Sequence, residues 1–385
     1  MKLRSLFTLF VIITFCKCQS EADPILTITI DPEQGSLVPL SEITEKLDVV
    51  ELETNNSSLI NDITMVDTLN NHYLIADYEN GILVFDKAGK FIRKIGKIGR
   101  GPGEVAHFMS FRIDRADNLI HLNSLSGPAY DINGNFINKK SDHISNSGLS
   151  HISSNYRFNN VIYSLNHNFK GEDGLFLQDT YFVIQDLNTG VADSIFMYRH
   201  QTAYFSMNFN TNFVFQNGGQ VYLFYSKNTQ DVRDFDTLFF VNKYSLEPFV
   251  RIKLIKQGYM QNQNPSITNT PSGGRVENLG SDIPNILSKM FMSERYLFIA
   301  HGYRIFTSNM MKLLPEDLSY FYYDLKTKKG ANSLHGFVDD IYHSGDSVNI
   351  NFMGGDMFYF TRERGYSEQL KTELNPTLYV GVFKE

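Results

Sequence analysis

The chain has 385 residues and a hydrophobic share of 42%, enough for one large repeat array or two ordinary domains. Its formal net charge of −7, with no basic block to offset it, argues against sequence-independent attraction to nucleic acid or to anionic lipid. With 31 Phe, 21 Tyr, no Trp and few amphipathic helical stretches, the composition points to an all-β protein.

Residues 1–17 carry Lys2 and Arg4 and then an apolar run from Leu6 to Phe15. That run is long enough for the core of an export signal and too short to span a bilayer as a helix. The chain's two cysteines, Cys16 and Cys18, lie at its end, so the body has no disulfide framework. Cys18, followed by Gln19-Ser20-Glu21-Ala22-Asp23, resembles the lipid-modified cysteine of a bacterial lipoprotein with the surface-export signal of Bacteroidetes. The resemblance implies a signal peptide over residues 1–17, acyl attachment at Cys18, a tether over 18–23, and residence at the outer membrane or cell surface. Lys17 stands where a lipobox has a small residue, and cleavage after Ser20-Glu21-Ala22 would instead release a soluble periplasmic or secreted protein. No later apolar run is long enough to cross a membrane, so contact with one is expected only through a lipid anchor.

Residues 24–385 read as strands throughout. An alternating strand at residues 26–30 is followed by a Gly/Pro link, a helical turn over 41–46 and a second strand at 49–52. Next comes a meander: a buried strand at 73–76, alternating strands at 82–85 and 91–95, and an Asp86-Lys87-Ala88-Gly89 turn between them. The same pattern returns with Asp131-Ile132-Asn133-Gly134, placing Phe85 with Tyr130, Asp86 with Asp131, Gly89 with Gly134 and Phe91 with Phe136. A constant spacing of this length, filled by strands, is the mark of propeller blades, because one four-stranded sheet cannot bury both faces alone. Gly89 and Gly134 are expected at positive φ.

The series from Asp77 through Phe85-Asp86-Lys87-Ala88-Gly89 to Gly99-Arg100-Gly101-Pro102-Gly103-Glu104, with the closing Asn375-Pro376-Thr377-Leu378-Tyr379, resembles the NHL-like six-bladed β-propeller proteins of Bacteroidetes. Asn123 stands where those proteins have an acidic residue. The resemblance implies a propeller of six blades from about residue 24 to 384, closed by pairing of N- and C-terminal strands. Residues 24–30 are the N-terminal strand expected to support the last blade, against residues 377–383. The third blade is expected over 151–196, the fourth over 204–255, the fifth from 291 to 324 and the sixth from 338 to 360. Residues 257–282, long, polar and poor in apolar side chains, are expected to form a contact loop.

No G-x-S-x-G, H-E-x-x-H, P-loop or dinucleotide fingerprint is present, and the body has no cysteine for zinc or thiol chemistry. The glycines of 99–103 suit a turn better than a phosphate cradle, since Pro102 lacks an N–H and no helix follows. The expected function is therefore binding or scaffolding of a protein or polymer partner, with no catalytic residue, metal or cofactor assigned. Arg100, Glu104, Arg112, His301 and Arg304 are the binding candidates, Arg112 and Arg304 as channel or face lining. The alternative implied by the resemblance is a metal-dependent lyase or hydrolase at the central channel, with zinc or calcium, for which His121, His301 and His335 on different blades are the histidines to consider.

Overall fold

A strand that is apolar at consecutive positions must be covered on both faces, and Gly81–Asp86 meets that demand. Ile82 and Val84 face one neighbouring sheet, Leu83 and Phe85 the other, and all four are fully buried. Burial of each contributes roughly 1.5–3 kcal/mol. The computed structural model describes residues 25–108, 110–123, 127–137, 150–172, 175–202, 213–225, 236–242, 245–255, 267–268, 275–276, 285–306, 311–313, 318–342 and 345–385.

Six antiparallel sheets form a ring, and the fold is a six-bladed β-propeller. From the inner to the outer strand, blade 1 is Ile63–Leu69, His72–Asp77, Gly81–Asp86 and Phe91–Ile95. Blade 2 is Phe111–Asp114, Leu119–Leu122, Ala129–Tyr130 and Phe136–Ile137. Blade 3 has the longer strands Ser150–Phe158, Val161–Glu172, Leu175–Asp186 and Ala192–Thr202. Blade 4 is Phe213–Asn217, Gln220–Tyr225, Asp236–Asn242 and Ser245–Leu254. Blade 5 is Asn285–Met292, Tyr296–Phe306, Ser319–Asp324 and Lys329–Val338. Blade 6 combines Asn351–Phe352, Met357–Arg362 and the C-terminal Thr377–Phe383 with an N-terminal strand, Thr44–Glu51.

Closure by the two ends is therefore real, but the strand that closes is not the one expected. Thr44–Glu51 pairs antiparallel with Thr377–Phe383. Leu26–Ile30 instead lies parallel to the outer strand of blade 4, and Ser36–Pro39 parallel to the outer strand of blade 5. The N-terminal segment is a belt that runs across blades 4, 5 and 6 before blade 1 begins. Alternation marks which face of a strand is buried but not which edge it joins, so the sequence pattern of residues 26–30 suits either place. The helical turn shortens to Leu40–Glu42, with strand from Thr44. Residue 338 ends the outer strand of blade 5, and the inner strand of blade 6 is only Asn351–Phe352. Most of residues 257–282 lies outside the described residues; within it, Ile267–Thr268 pairs with Arg275–Val276.

The repeat holds in detail. Gly89 and Gly134 both have φ of 81°, and each donates its N–H to the carbonyl of the turn's aspartate at 3.0 Å. A Cβ on Gly89 would collide with the Glu51 carbonyl, so this turn also packs on the closing strand. Asp77 accepts from the N–H groups of Asn61, Asp62, Glu79 and Asn80, joining a turn to the loop that enters the blade. Asn123 does the equivalent in blade 2, where its amide donates to the His107 carbonyl at 2.7 Å and accepts from the Ser110 N–H. An amide suffices there because the position is structural.

Asn375 explains the closing motif. Fully buried, it accepts from the Ile60 N–H at 2.9 Å and donates to the carbonyls of Glu53 and Ser58, both at 2.7 Å. It thereby pins the loop between the closing strand and blade 1. Asn375→Asp would set a carboxylate against two carbonyls and is expected to lower unfolding free energy by about 2–4 kcal/mol in urea titration. Truncations separate belt from closure. A chain starting at residue 40 should still unfold cooperatively at a reduced midpoint, whereas one starting at residue 52 should show no cooperative transition by calorimetry; equal midpoints for the two would contradict this account.

Candidate functional site: the axial channel

Hydrogen bonds tie all six junctions between blades near the inner strands. Arg115 donates to Asp67 at 2.7 Å and to the Thr68 carbonyl at 2.8 Å, joining blades 2 and 1. Arg157 joins blade 3 to blade 2 through Asp114 at 2.5 Å and Asp117 at 2.9 Å. The Tyr156 hydroxyl donates to Gln216 Oε1 at 3.1 Å, between blades 3 and 4. Asn217 donates to the Ser293 carbonyl at 2.8 Å, between blades 4 and 5. Lys289 donates to Asn351 Oδ1 at 2.9 Å, between blades 5 and 6. The Gly354 N–H reaches Asp67 at 3.3 Å, returning to blade 1. A Cβ on Gly354 would meet Arg115 and Asp67, so a glycine is required where three blades converge.

Among the described residues every blade carries polar side chains on its inner strand, Asp67, Arg112, Tyr156, Gln216, Lys289 and Asn351 among them. Burial pushes the Tyr156 phenol up to about 12, with Arg115 acting in the opposite sense. Burial lowers the Lys289 ammonium and the Arg112 guanidinium from their ordinary values, and Asp67 counters the effect on Arg112. Arg112 and Lys289 are nevertheless exposed at the surface, so the effect of burial on them is small. Separately, a polar cleft of about 360 Å³ opens between blades 1 and 2, lined by Asn70, Asn71, Lys87, Arg115 and Asn118 among others.

Of the residues expected from sequence, Arg112 alone lies on this wall. Glu104 folds back into its own loop, where Oε2 accepts from the Gly101 N–H at 2.7 Å. A Cβ on Gly99 would strike that carboxylate, and the Tyr130 hydroxyl closes the loop on the Gly103 carbonyl at 2.6 Å. The Gly-rich segment is a self-contained link from blade 1 to blade 2, with Arg100 exposed in it. Arg304 is in register with Leu313, and its side chain falls outside the described residues, as does Cys18. His121 is buried on blade 2, while His335 is exposed on blade 5 at φ 58°. Among the described residues no three His, Cys, Asp or Glu side chains gather in a way that would hold a metal ion. Tyr156, Gln216, Lys289 and Asn351 were not legible as site residues. Their common signal is a polar residue one to three positions before an inner hairpin, as with Lys289 before Met290-Phe291-Met292.

His301 is buried on the second strand of blade 5, with Nε2 2.8 Å from Asn332 Oδ1. Asn332 in turn donates to the carbonyls of Asp31 and Gln34, so this pair anchors the belt. Burial lowers the His301 pKa from its ordinary value, and the bond to Asn332 opposes that only partly. Because the folded value lies below the unfolded one, His301 contributes stability that is present above about pH 6.5 and lost as pH falls below it. The thermal midpoint is expected to drop between pH 7.5 and 5.5 by more in the wild type than in His301→Gln; parallel pH profiles would remove His301 from the account.

The fold has a known counterpart. A Bacteroides fragilis protein described as a "Putative exported protein" has a crystal structure matching at TM-score 0.54 and 18% identity, over 93% of this chain and 100% of that one. The WD40 domain of SCAP from fission yeast matches at TM-score 0.29 and 8% identity, over 90% of this chain and 99% of that one. The β-propeller domain of the Trilobed protease from Pyrococcus furiosus matches at 0.27 and 11%, over 84% and 82%. Among curated proteins no sequence relative matches. The family model described as a domain of unknown function, DUF4934, matches residues 25–378, and the chain belongs to that family.

Proposed function

We propose that this protein is an extracytoplasmic ring that binds a protein or polymer partner at its axial channel and is presented from the cell envelope by acyl attachment at Cys18. The observation that carries the binding reading is the channel wall. Among the described residues all six inner strands carry polar side chains, whereas Glu104 and His301 are engaged in loop and belt. The leader with Cys18 at its end supports export and anchoring, and the exported description of the Bacteroides fragilis protein of the same fold agrees with it. The NHL-like character rests on the Asp-x-x-Gly turns and the Gly-rich link. A tethered ring gains from effective concentration near its partner, so modest affinity at the channel suffices.

Two measurements test this. In a host of the native type, wild-type protein should partition with membranes and Cys18→Ala should not; identical soluble partitioning, with a mature N-terminus at Asp23, would replace anchoring by secretion. On an array of oligosaccharides and peptides, the ring should retain ligands that mass spectrometry recovers intact. Recovery of cleaved product in excess over protein would make it a lyase or hydrolase instead.

A further inference from the structure

The polar cleft between blades 1 and 2 is a single bounded space, and three tight turns make its walls. Asn70-Asn71 joins the first two strands of blade 1, residues 115–118 join the first two of blade 2, and Lys87 lies in the turn between the last two of blade 1. In an antiparallel blade these turns share one face of the ring, so the cleft opens there. Each turn is fixed from within. Asp114 Oδ1 accepts from the Ala116 and Asp117 N–H groups, Asp86 Oδ1 accepts from those of Ala88 and Lys90, and Asn70, Asn71 and Asn118 hold φ of 47°, 62° and 55°. The rim is thus in place before a ligand arrives, which removes part of the ordering cost of binding. A volume of about 360 Å³ falls at the lower end for small-molecule sites.

Two cations line this space. Arg115 is held by Asp67 at 2.7 Å and by the Thr68 carbonyl at 2.8 Å, which uses two of the five N–H groups of a guanidinium. Its side chain stays 48% exposed. Lys87 Nζ stands 4.1 Å over the ring of Tyr73, which is buried beneath it. The carboxylates of the neighbourhood are committed elsewhere: Asp67 to Arg115, Asp114 and Asp117 to Arg157, and Asp48 to Lys46 at 2.7 Å. Asp48 reaches Lys87 only through its charge. The three asparagines are exposed at the cleft, and within the described residues their side-chain amides form no hydrogen bond.

An amide both donates and accepts, as a sugar hydroxyl does, whereas ammonium and guanidinium only donate and answer to negative charge. A neutral sugar would leave the two cations without a counter-charge, and a bare carboxylate would leave the amides idle. We propose that this cleft binds an acidic saccharide of one or two rings. Its hydroxyls meet Asn70, Asn71 and Asn118, and its negative group, a carboxylate or a sulfate ester, meets Lys87 and Arg115. Because Lys87 covers Tyr73, that ring has no open face for stacking, and recognition comes from hydrogen bonds and charge. The site requires nothing of the axial channel.

Calorimetric titration of the mature ring tests this with a matched series: galacturonate, galactose 6-sulfate, galactose, methyl galacturonate and succinate. At least one of the first two should bind about tenfold or more tightly than the uncharged sugars and than succinate, which carries charge without ring hydroxyls. Whichever of the two binds tighter names the acidic group. Asn71→Gly and Asn118→Gly suit the positive φ while removing the amide, and Lys87→Gln removes the charge; each should weaken binding about fivefold or more. Acetylation by acetic anhydride, read by mass spectrometry, should slow about tenfold at Lys87 when the acidic sugar is present at tenfold its Kd, with exposed Lys326 unchanged. No binding of either acidic sugar, equal binding of galactose or of succinate, or unchanged affinity in all three folded variants overturns the proposal. Should a variant fail to fold, protection of Lys87 in the wild type decides.

Discussion

A radial sheet with two apolar faces is stable only with a neighbour on each side, and five of the six junctions follow from the chain simply running on. The sixth, between blade 6 and blade 1, has to be made by sequence that is far apart. Thr44–Glu51 supplies it by pairing with Thr377–Phe383. The register is reinforced from three directions. Asn375 pins the loop that leads from the closing strand into blade 1, the Gly89 turn packs on the Glu51 carbonyl, and Arg364 donates to the Leu52 carbonyl at 3.1 Å. Phe383 then drives the end of the chain into the seam with blade 5, its ring 4.6 Å from Phe298 and 4.8 Å from Phe358. Gly381 makes this possible, because a side chain there would occupy the place of the Phe358 ring.

The ring is not uniform around its axis. Apolar clusters fill the seams between blades 5 and 6, 4 and 5, 6 and 1, 1 and 2, and 3 and 4. Between blades 2 and 3, among the described residues, the prominent contact is Arg157 with Asp114, whose side chains are only 12% and 4% exposed. A buried ion pair of this kind fixes geometry more than it adds stability. The belt adds a second asymmetry, since it covers the outer edges of blades 4 and 5 and merges with the closing strand in blade 6. Blades 1 to 3 guard their open edges differently. Blade 1 places Arg93 and Lys94 on its edge strand, and blade 2 shortens that strand to Phe136–Ile137, both of which discourage pairing with another chain.

Legibility in the sequence follows from these physical differences. Blades 1 and 2 were readable because their Asp-x-x-Gly turns need a residue at positive φ and their strands are buried on both faces, so pattern and turn chemistry agree. Blade 6 was harder, since its inner strand has two residues and its outer strand comes from the other end of the chain. The belt was visible as strands but not as a belt, because parallel edge pairing leaves no mark in alternation. Of the polar residues on the inner strands named above, only Arg112 stood out in the sequence. Inner-strand residues come together from positions 67 to 351, and no local window contains two of the six named above.

That mode of assembly separates what stabilises the ring from what it recognises. The blade faces are filled with apolar side chains that see only the neighbouring blade, so altering them disturbs packing. The axial residues sit on inner strands whose backbone is already satisfied by the second strand of each blade, and most of their side chains meet the next blade through a single hydrogen bond. Exchanging one of them alters charge or donor number at the axis while leaving the apolar seams intact. Asp67 is the exception, because it bonds Arg115 of blade 2 and Gly354 of blade 6 together. Its carboxylate is committed to the ring itself, so that exchanging it would loosen the junctions of blade 1 with blades 2 and 6 together.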